Sequence, residues 1–177
     1  MIVSVVKAPN SVLFNTAKPV KKIDTKIKKL IKNMHDTLWA AHDPEGVGLA
    51  APQIGVSLQL FVMRPTKRAK IKTFINPKII KIEKESSKKI KMKSATLEGC
   101  LSIDNVWSPI RRAAKIQVVY QSEDGQKHEE WFSDFKAVII QHEIDHLNGV
   151  LFTHRAMEQK SDLFEEEDGE LFKLKIS

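Results

Sequence analysis

Ser133-Asp134-Phe135-Lys136-Ala137-Val138-Ile139-Ile140-Gln141-His142-Glu143-Ile144-Asp145-His146-Leu147-Asn148-Gly149 reads as one helix with chemistry on it. Phe135, Val138, Ile139, His142 and His146 recur at three- and four-residue steps and so share a face. Ser133-Asp134 suits the start as a cap, and Gly149 suits the left-handed position past the end. The segment 142–146 is an H-E-x-x-H. Imidazoles one turn apart can reach a single cation, with Glu143 beside them able to touch a water on that cation. Two histidines at chance helical spacing would be the bland alternative. Three specified residues coinciding on a well-formed helix argue against it.

Upstream of this helix the chain alternates or is β-branched over 58–63, 73–82, 89–93 and 115–121, and Glu123-Asp124-Gly125 reads as a hairpin turn. Earlier still, Ile27, Leu30, Ile31, Met34 and Leu38 follow Asp24, a good N-cap, and predict an amphipathic helix over about 24–42. Asp43-Pro44-Glu45-Gly46 ends it. Downstream, Asp168-Gly169 predicts a turn before a short final strand, Leu171 to Ile176. The expected class is α+β: mixed or antiparallel sheets packed around a central helix that carries the H-E-x-x-H, with one N-terminal amphipathic helix.

A length of 177 residues with 42% hydrophobic residues fits a single domain with a real core. One cysteine forms no internal disulfide, and Met1-Ile2-Val3-Ser4-Val5-Val6-Lys7 lacks a long apolar signal region, so a reducing, cytoplasmic location is expected. No apolar run reaches the roughly 18 to 20 residues of a membrane span. The charge is +7, with lysines gathered in Lys18 to Lys32 and Lys67 to Lys93 and the opposite sign in Glu165-Glu166-Glu167-Asp168. Aromatic residues are not interleaved with those lysines, so solvated faces are expected and no specific nucleic-acid sequence is read.

A catalytic metal needs a third protein ligand and an open position. The one thiol, Cys100, lies in Glu98-Gly99-Cys100-Leu101-Ser102. A lone cysteine is more often a small buried hydrophobe, but beside an H-E-x-x-H it becomes the leading third ligand. An acidic residue would serve as well, Glu158 being the nearest. The remaining feature is Gly46-Val47-Gly48-Leu49-Ala50-Ala51-Pro52-Gln53-Ile54-Gly55. Its small residues let another backbone approach, and the Gln53 amide can donate to a developing oxyanion. It lacks the third glycine of a Rossmann turn and the Gly-Lys-Ser/Thr of a P-loop.

G-V-G-L-A-A-P-Q, E-G-C-L-S and Q-H-E-I-D-H-L-N-G, in this order, resemble the three motifs of peptide deformylases, and Ala8-Pro9 through Ala17-Lys18-Pro19-Val20 also looks familiar. The resemblance implies a single catalytic domain over 1–177, with about 153–177 a divergent C-terminal tail. It implies a hydrolase that removes the N-formyl group from the N-terminal methionine of newly made polypeptides and releases formate. The cofactor would be one divalent ion, Fe2+ by preference, with Ni2+, Co2+ or Zn2+ able to substitute. Partners would be N-formylmethionyl peptides and nascent chains, with transient ribosome contact and no membrane. Position by position, Cys100, His142 and His146 match the metal ligands and Glu143 the catalytic glutamate. Gln53 and the Leu101 N–H match the groups that polarise the formyl oxygen. Val47, Gly48 and Gly99 match the places where the peptide adds as a strand, and Phe135, Val138 and Ile139 the wall of the methionine pocket. The sequence departs from the pattern at Asp104, where proline is usual, at Trp107, where arginine or glycine is common, and in its acidic tail, where many relatives have a long basic helix.

Two other readings remain at this level: a zincin-like endopeptidase using the same helix, and a basic ribosome-associated binding module with a structural metal.

Overall fold

Asp24 opens the first helix as its side chain suggests, its carboxylate accepting from the Ile27 N–H at 3.0 Å. In this computed structural model, which describes residues 1–42, 45–83 and 96–175, that helix is α1 (Thr25–Ala40). There follow β1 (Gly48–Ala50), β2 (Leu60–Met63), β3 (Lys72–Ile82), β4 (Thr96–Cys100), β5 (Ile103–Ile110), β6 (Lys115–Gln121) and β7 (Lys127–Ser133). The chain closes with α2 (Asp134–Leu147), α3 (Phe152–Gln159), β8 (Phe164–Glu167) and β9 (Glu170–Lys173). The strand expected over 89–93 and the Asp43-Pro44 part of the predicted turn lie outside the described residues.

The strands form two sheets, ordered β1-β2-β3-β6-β7 and β4-β5-β8-β9. Every strand pairing among the described residues is antiparallel, so of the expected mixed or antiparallel sheets the second form is found.

Alternation along β2 and β3 sends side chains to opposite faces and so makes two cores. Phe61, Met63 and Phe74 point to the face that α2 covers, joining Ile116, Val118, Ala137, Ile140 and Leu147. Leu60, Val62 and Ile75 point the other way, against Ile31, Met34 and Leu38 of α1. Phe61 and Phe74 stack with centroids 4.5 Å apart. Burying each such side chain contributes about 1.5 to 3 kcal/mol, enough for packing to hold α2 against the five-stranded sheet. The smaller sheet has its own cluster, Cys100, Ile110, Phe152, Ala156 and Leu163, with α3 laid on it.

Several local expectations change. Ser133 precedes α2 without capping it, because its hydroxyl donates to the Asp134 carboxylate instead of accepting from a helix N–H. The acidic stretch read as a tail is β8, which pairs with β5 through Trp107 and Phe164 and turns at Asp168-Gly169 into β9. The last strand therefore starts earlier and ends earlier than 171–176, at Lys173. Gly149 behaves as read, with φ 72° just past the end of α2. A Cβ there would meet the Phe14 backbone at 2.6 Å.

Candidate active site

Cys100 ends β4, and His142 and His146 lie on the α2 face that looks across at it. Their donor atoms all lie within 4.8 Å of one another, and Cys100 Sγ stands 3.2 Å from His146 Nε2. Glu158, the rival third ligand, is not in this group; it sits on the surface, paired with Arg155.

His142 is turned by what its other nitrogen meets. His142 Nδ1 lies 3.0 Å from Glu98 Oε2, which keeps the proton on Nδ1 and directs the Nε2 lone pair inward. Glu98 is itself held by a two-point fork from Arg112, at 2.8 and 2.9 Å, and Arg112 also reaches Asp145. Asp145 is bonded in turn by Arg155. Glu98, Arg112 and Asp145 are nearly buried. Nothing in the spacing of Glu98, Arg112 and Asp145 along the chain announces this network. The one hint is that Glu98 stands two residues ahead of the cysteine.

Burial pushes the Cys100 thiol up, but the charge of and hydrogen bonds from His146 and His142 outweigh it and hold the thiol well below its ordinary range. Burial likewise pushes Glu143 up, to about 7, against the opposing pull of His142 and His146. Glu143 is 3% exposed, and among the described residues neither its Oε2 nor His146 Nδ1 has a hydrogen-bond partner. An unpartnered buried carboxylate oxygen costs free energy. A cation with a water at the open side of the three donors would relieve it. A thiolate with two imidazoles and a nearby carboxylate is a donor set that suits a divalent transition metal.

Gln53 arrives from the short 3-10 turn Ala51–Ile54. Its Oε1 accepts from the Ala50 N–H at 2.8 Å, so the amide is orientated with Nε2 toward Cys100 Sγ, 3.4 Å away, and Ser102 Oγ, 3.3 Å away. Ser102, fully buried, also donates its N–H to Cys100 Sγ. Leu101 follows the thiol directly and lines the same cleft.

That cleft runs between two sheet edges. Gly46, Val47 and Gly48 form one bank and Leu97, Glu98 and Gly99 the other, with Phe135, Val138 and Ile139 of α2 below and Trp107 at the side. Among the described residues β1 and β4 are terminal strands of their sheets. Leu97 and Phe135 are partly exposed at the mouth. Beside these glycines, protein groups fill the space that a side chain would take. A Cβ on Gly48 would lie 2.7 Å from Glu143 Cδ, one on Gly99 would lie 2.7 Å from the Trp107 ring, and one on Gly46 would lie 2.8 Å from Ala41 Cβ.

The polypeptide deformylase family model matches residues 2–162. The chain belongs to the polypeptide deformylase family. It is 43% identical to the peptide deformylase of Pseudothermotoga lettingae over 141 residues, which cover 80% of this chain and 75% of that protein. The crystal structure of the Thermotoga maritima peptide deformylase superposes with a TM-score of 0.77 at 37% identity, covering 88% of this chain and 97% of that one. The Acinetobacter baumannii enzyme solved with Met-Ala-Ser bound gives 0.75 at 31% identity, covering 88% and 98%. The family match stops just short of β8, so the hairpin that carries the acidic residues lies beyond it. Neither the endopeptidase nor the binding-module reading finds support in these matches. Among the described residues no helix is long and apolar enough to cross a membrane.

Proposed function

We propose that the residues gathered at Cys100 carry out the reaction of the family: metal-dependent hydrolysis of the formyl group from the N-terminal methionine of newly made polypeptides, with release of formate. The observation that carries the residue assignment is the convergence of Cys100, His142 and His146 donor atoms within 4.8 Å beside a buried Glu143 oxygen that has no partner among the described residues. In this reading Cys100 Sγ, His142 Nε2 and His146 Nε2 hold one divalent ion, ferrous iron by the family resemblance, with nickel, cobalt or zinc as substitutes. Such an ion would supply Lewis acidity and lower the pKa of a water beside it far enough for attack near neutral pH.

The rest of the work falls to side chains. Glu143 Oε2 takes a proton from the attacking water and returns it to the methionine nitrogen as that nitrogen leaves. Gln53 Nε2 and the Leu101 N–H donate to the formyl oxygen as charge builds on it; losing one such donor typically costs about 100- to 1,000-fold. Two strand edges without a strand partner among the described residues, β1 and β4, flank the cleft, an arrangement that suits a peptide adding as a strand along Val47, Gly48 and Gly99. Phe135, Val138 and Ile139 offer an unbranched apolar side chain a slot. The reading places the reaction in a reducing cytoplasm, on nascent chains, with transient contact to the ribosome.

The test is formate release from formyl-Met-Ala-Ser by protein purified without oxygen, with acetyl-Met-Ala-Ser as competitor. The acetyl methyl takes the space of the attacking water, and misplacement of about 1 Å can cost ~100-fold. A preference for formyl of well over tenfold is expected; hydrolysis of the acetyl peptide within tenfold would sink the assignment.

A second expected result concerns Gly48→Ala. The added methyl overlaps the Glu143 carboxylate, so formate release should fall by about 10- to 100-fold while the metal remains. Turnover equal to wild type would show that Glu143 has room to move and that its position is unimportant.

A further inference from the structure

The oxygen-binding corner of the site is a two-residue turn to which its own residues contribute one long hydrogen bond, from the Ser102 N–H to Cys100 Sγ at 3.4 Å. Cys100 pairs with Ile103, so Leu101 and Ser102 alone connect β4 to β5. Two-residue hairpin loops favour glycine, asparagine or aspartate at positive φ, whereas neither Leu101 nor Ser102 has positive φ. The ladder is also irregular between Glu98 and Cys100. Something outside the turn must hold it.

The N-terminal segment does so with three consecutive residues. Val6 N–H donates to Gln53 O at 2.7 Å and Ala8 N–H to Ser102 O at 2.9 Å. Between them, Lys7 Nζ donates to Leu101 O at 2.8 Å and pairs with the Asp104 carboxylate. Both groups assigned to the formyl oxygen, Gln53 and Leu101, are thus tied to one strap, and Lys7 supplies a side-chain contact to the turn. Asp104 occupies the position where the family pattern has proline, so an ion pair stands where a rigid ring would otherwise stiffen the turn.

We propose that Lys7 is a positioning residue: its ammonium, anchored by Asp104, fixes the Leu101–Ser102 turn so that the Leu101 N–H faces the reacting oxygen. The inference rests on the role given to Leu101 above. Lys7 touches no reacting atom, and it lies at the surface, where an ion pair adds little to stability. Its removal should therefore show in the rate and leave the fold alone.

The experiment compares wild type with Lys7→Met, Lys7→Arg and Asp104→Asn, using formyl-Met-Ala-Ser. For Lys7→Met, kcat should fall about tenfold with KM within about twofold, the pattern of an interaction made only in the transition state. Its thermal midpoint and metal content should match wild type. Lys7→Arg should recover most of the rate and Asp104→Asn should fall between. Amide hydrogen exchange at Leu101 and Ser102 should be faster in Lys7→Met, with β2 unchanged. A Lys7→Met kcat within twofold of wild type, or unchanged exchange at the turn, overturns the proposal. So does a fall in rate matched by a fall in midpoint or metal content. Should wild type release no formate, the functional reading fails, while the exchange measurement still decides whether Lys7 holds the turn.

Discussion

Glu143→Gln is expected to lower formate release by at least about 100-fold, the contribution typical of a general acid and base, while metal content and fold stay intact. The amide matches the carboxylate in shape, so it keeps the contact over Gly48 that a Cβ would spoil. It cannot shuttle the proton. Stability should not fall, because burial already raises the Glu143 pKa to about 7. A carboxyl whose folded pKa lies above its unfolded value opposes folding at any pH where the unfolded group is ionised. The neutral amide removes that term. Lost turnover with an undiminished thermal midpoint is therefore the signature sought, and retention of more than about a tenth of wild-type turnover would remove Glu143 from the mechanism.

Arg112→Met should act in the opposite way, through stability. Its guanidinium lies between the Glu98 and Asp145 carboxylates, all three nearly buried. Burial pushes the Glu98 carboxyl up, and the Arg112 and His142 hydrogen bonds pull it below its ordinary range. Without the arginine, Glu98 keeps only His142 and Asp145 keeps only Arg155. Breaking a buried pair by removing one partner costs about 3 to 5 kcal/mol. For a chain of this size each kcal/mol lowers the midpoint by roughly 2 to 4 °C, so a drop of roughly 6 to 20 °C is expected in a thermal melt. Lys in place of Arg keeps one charge but loses the fork and should fall between. A midpoint for Arg112→Met within about 2 °C of wild type would mean that solvent reaches the network and screens it.

How much of this was legible in the chain varies with the range of the interaction. Helix α1 could be read because Ile31, Met34 and Leu38 repeat at the helical period and Asp24 is a capping residue. Helix α3 could not: it has only eight residues, its N-cap is Leu151, and its buried side chains are just Phe152 and Ala156. β1 was not anticipated as a strand, because glycine and alanine are poor strand formers; its pairing with β2 makes it one. The hairpin β8–β9 was half visible, in the Asp168-Gly169 turn, while the Glu165–Glu167 run concealed the strand that precedes it.

By itself the sequence determined the helix bearing His142, Glu143 and His146, the kinds of ligand available, and the α+β class, because these depend on side-chain periods that repeat every few residues. Three motifs in family order pointed to Cys100 and Gln53, and the fold brings both to the cleft. Only the folded chain could show that Gly48 gives its space to Glu143, that Arg112 ties Glu98 to Asp145 behind His142, and that Lys7 reaches Leu101 across 94 positions. Such contacts follow from strand register and from which sheet edges face each other. No local pattern encodes them, since the same lysine or arginine elsewhere on the surface would read identically.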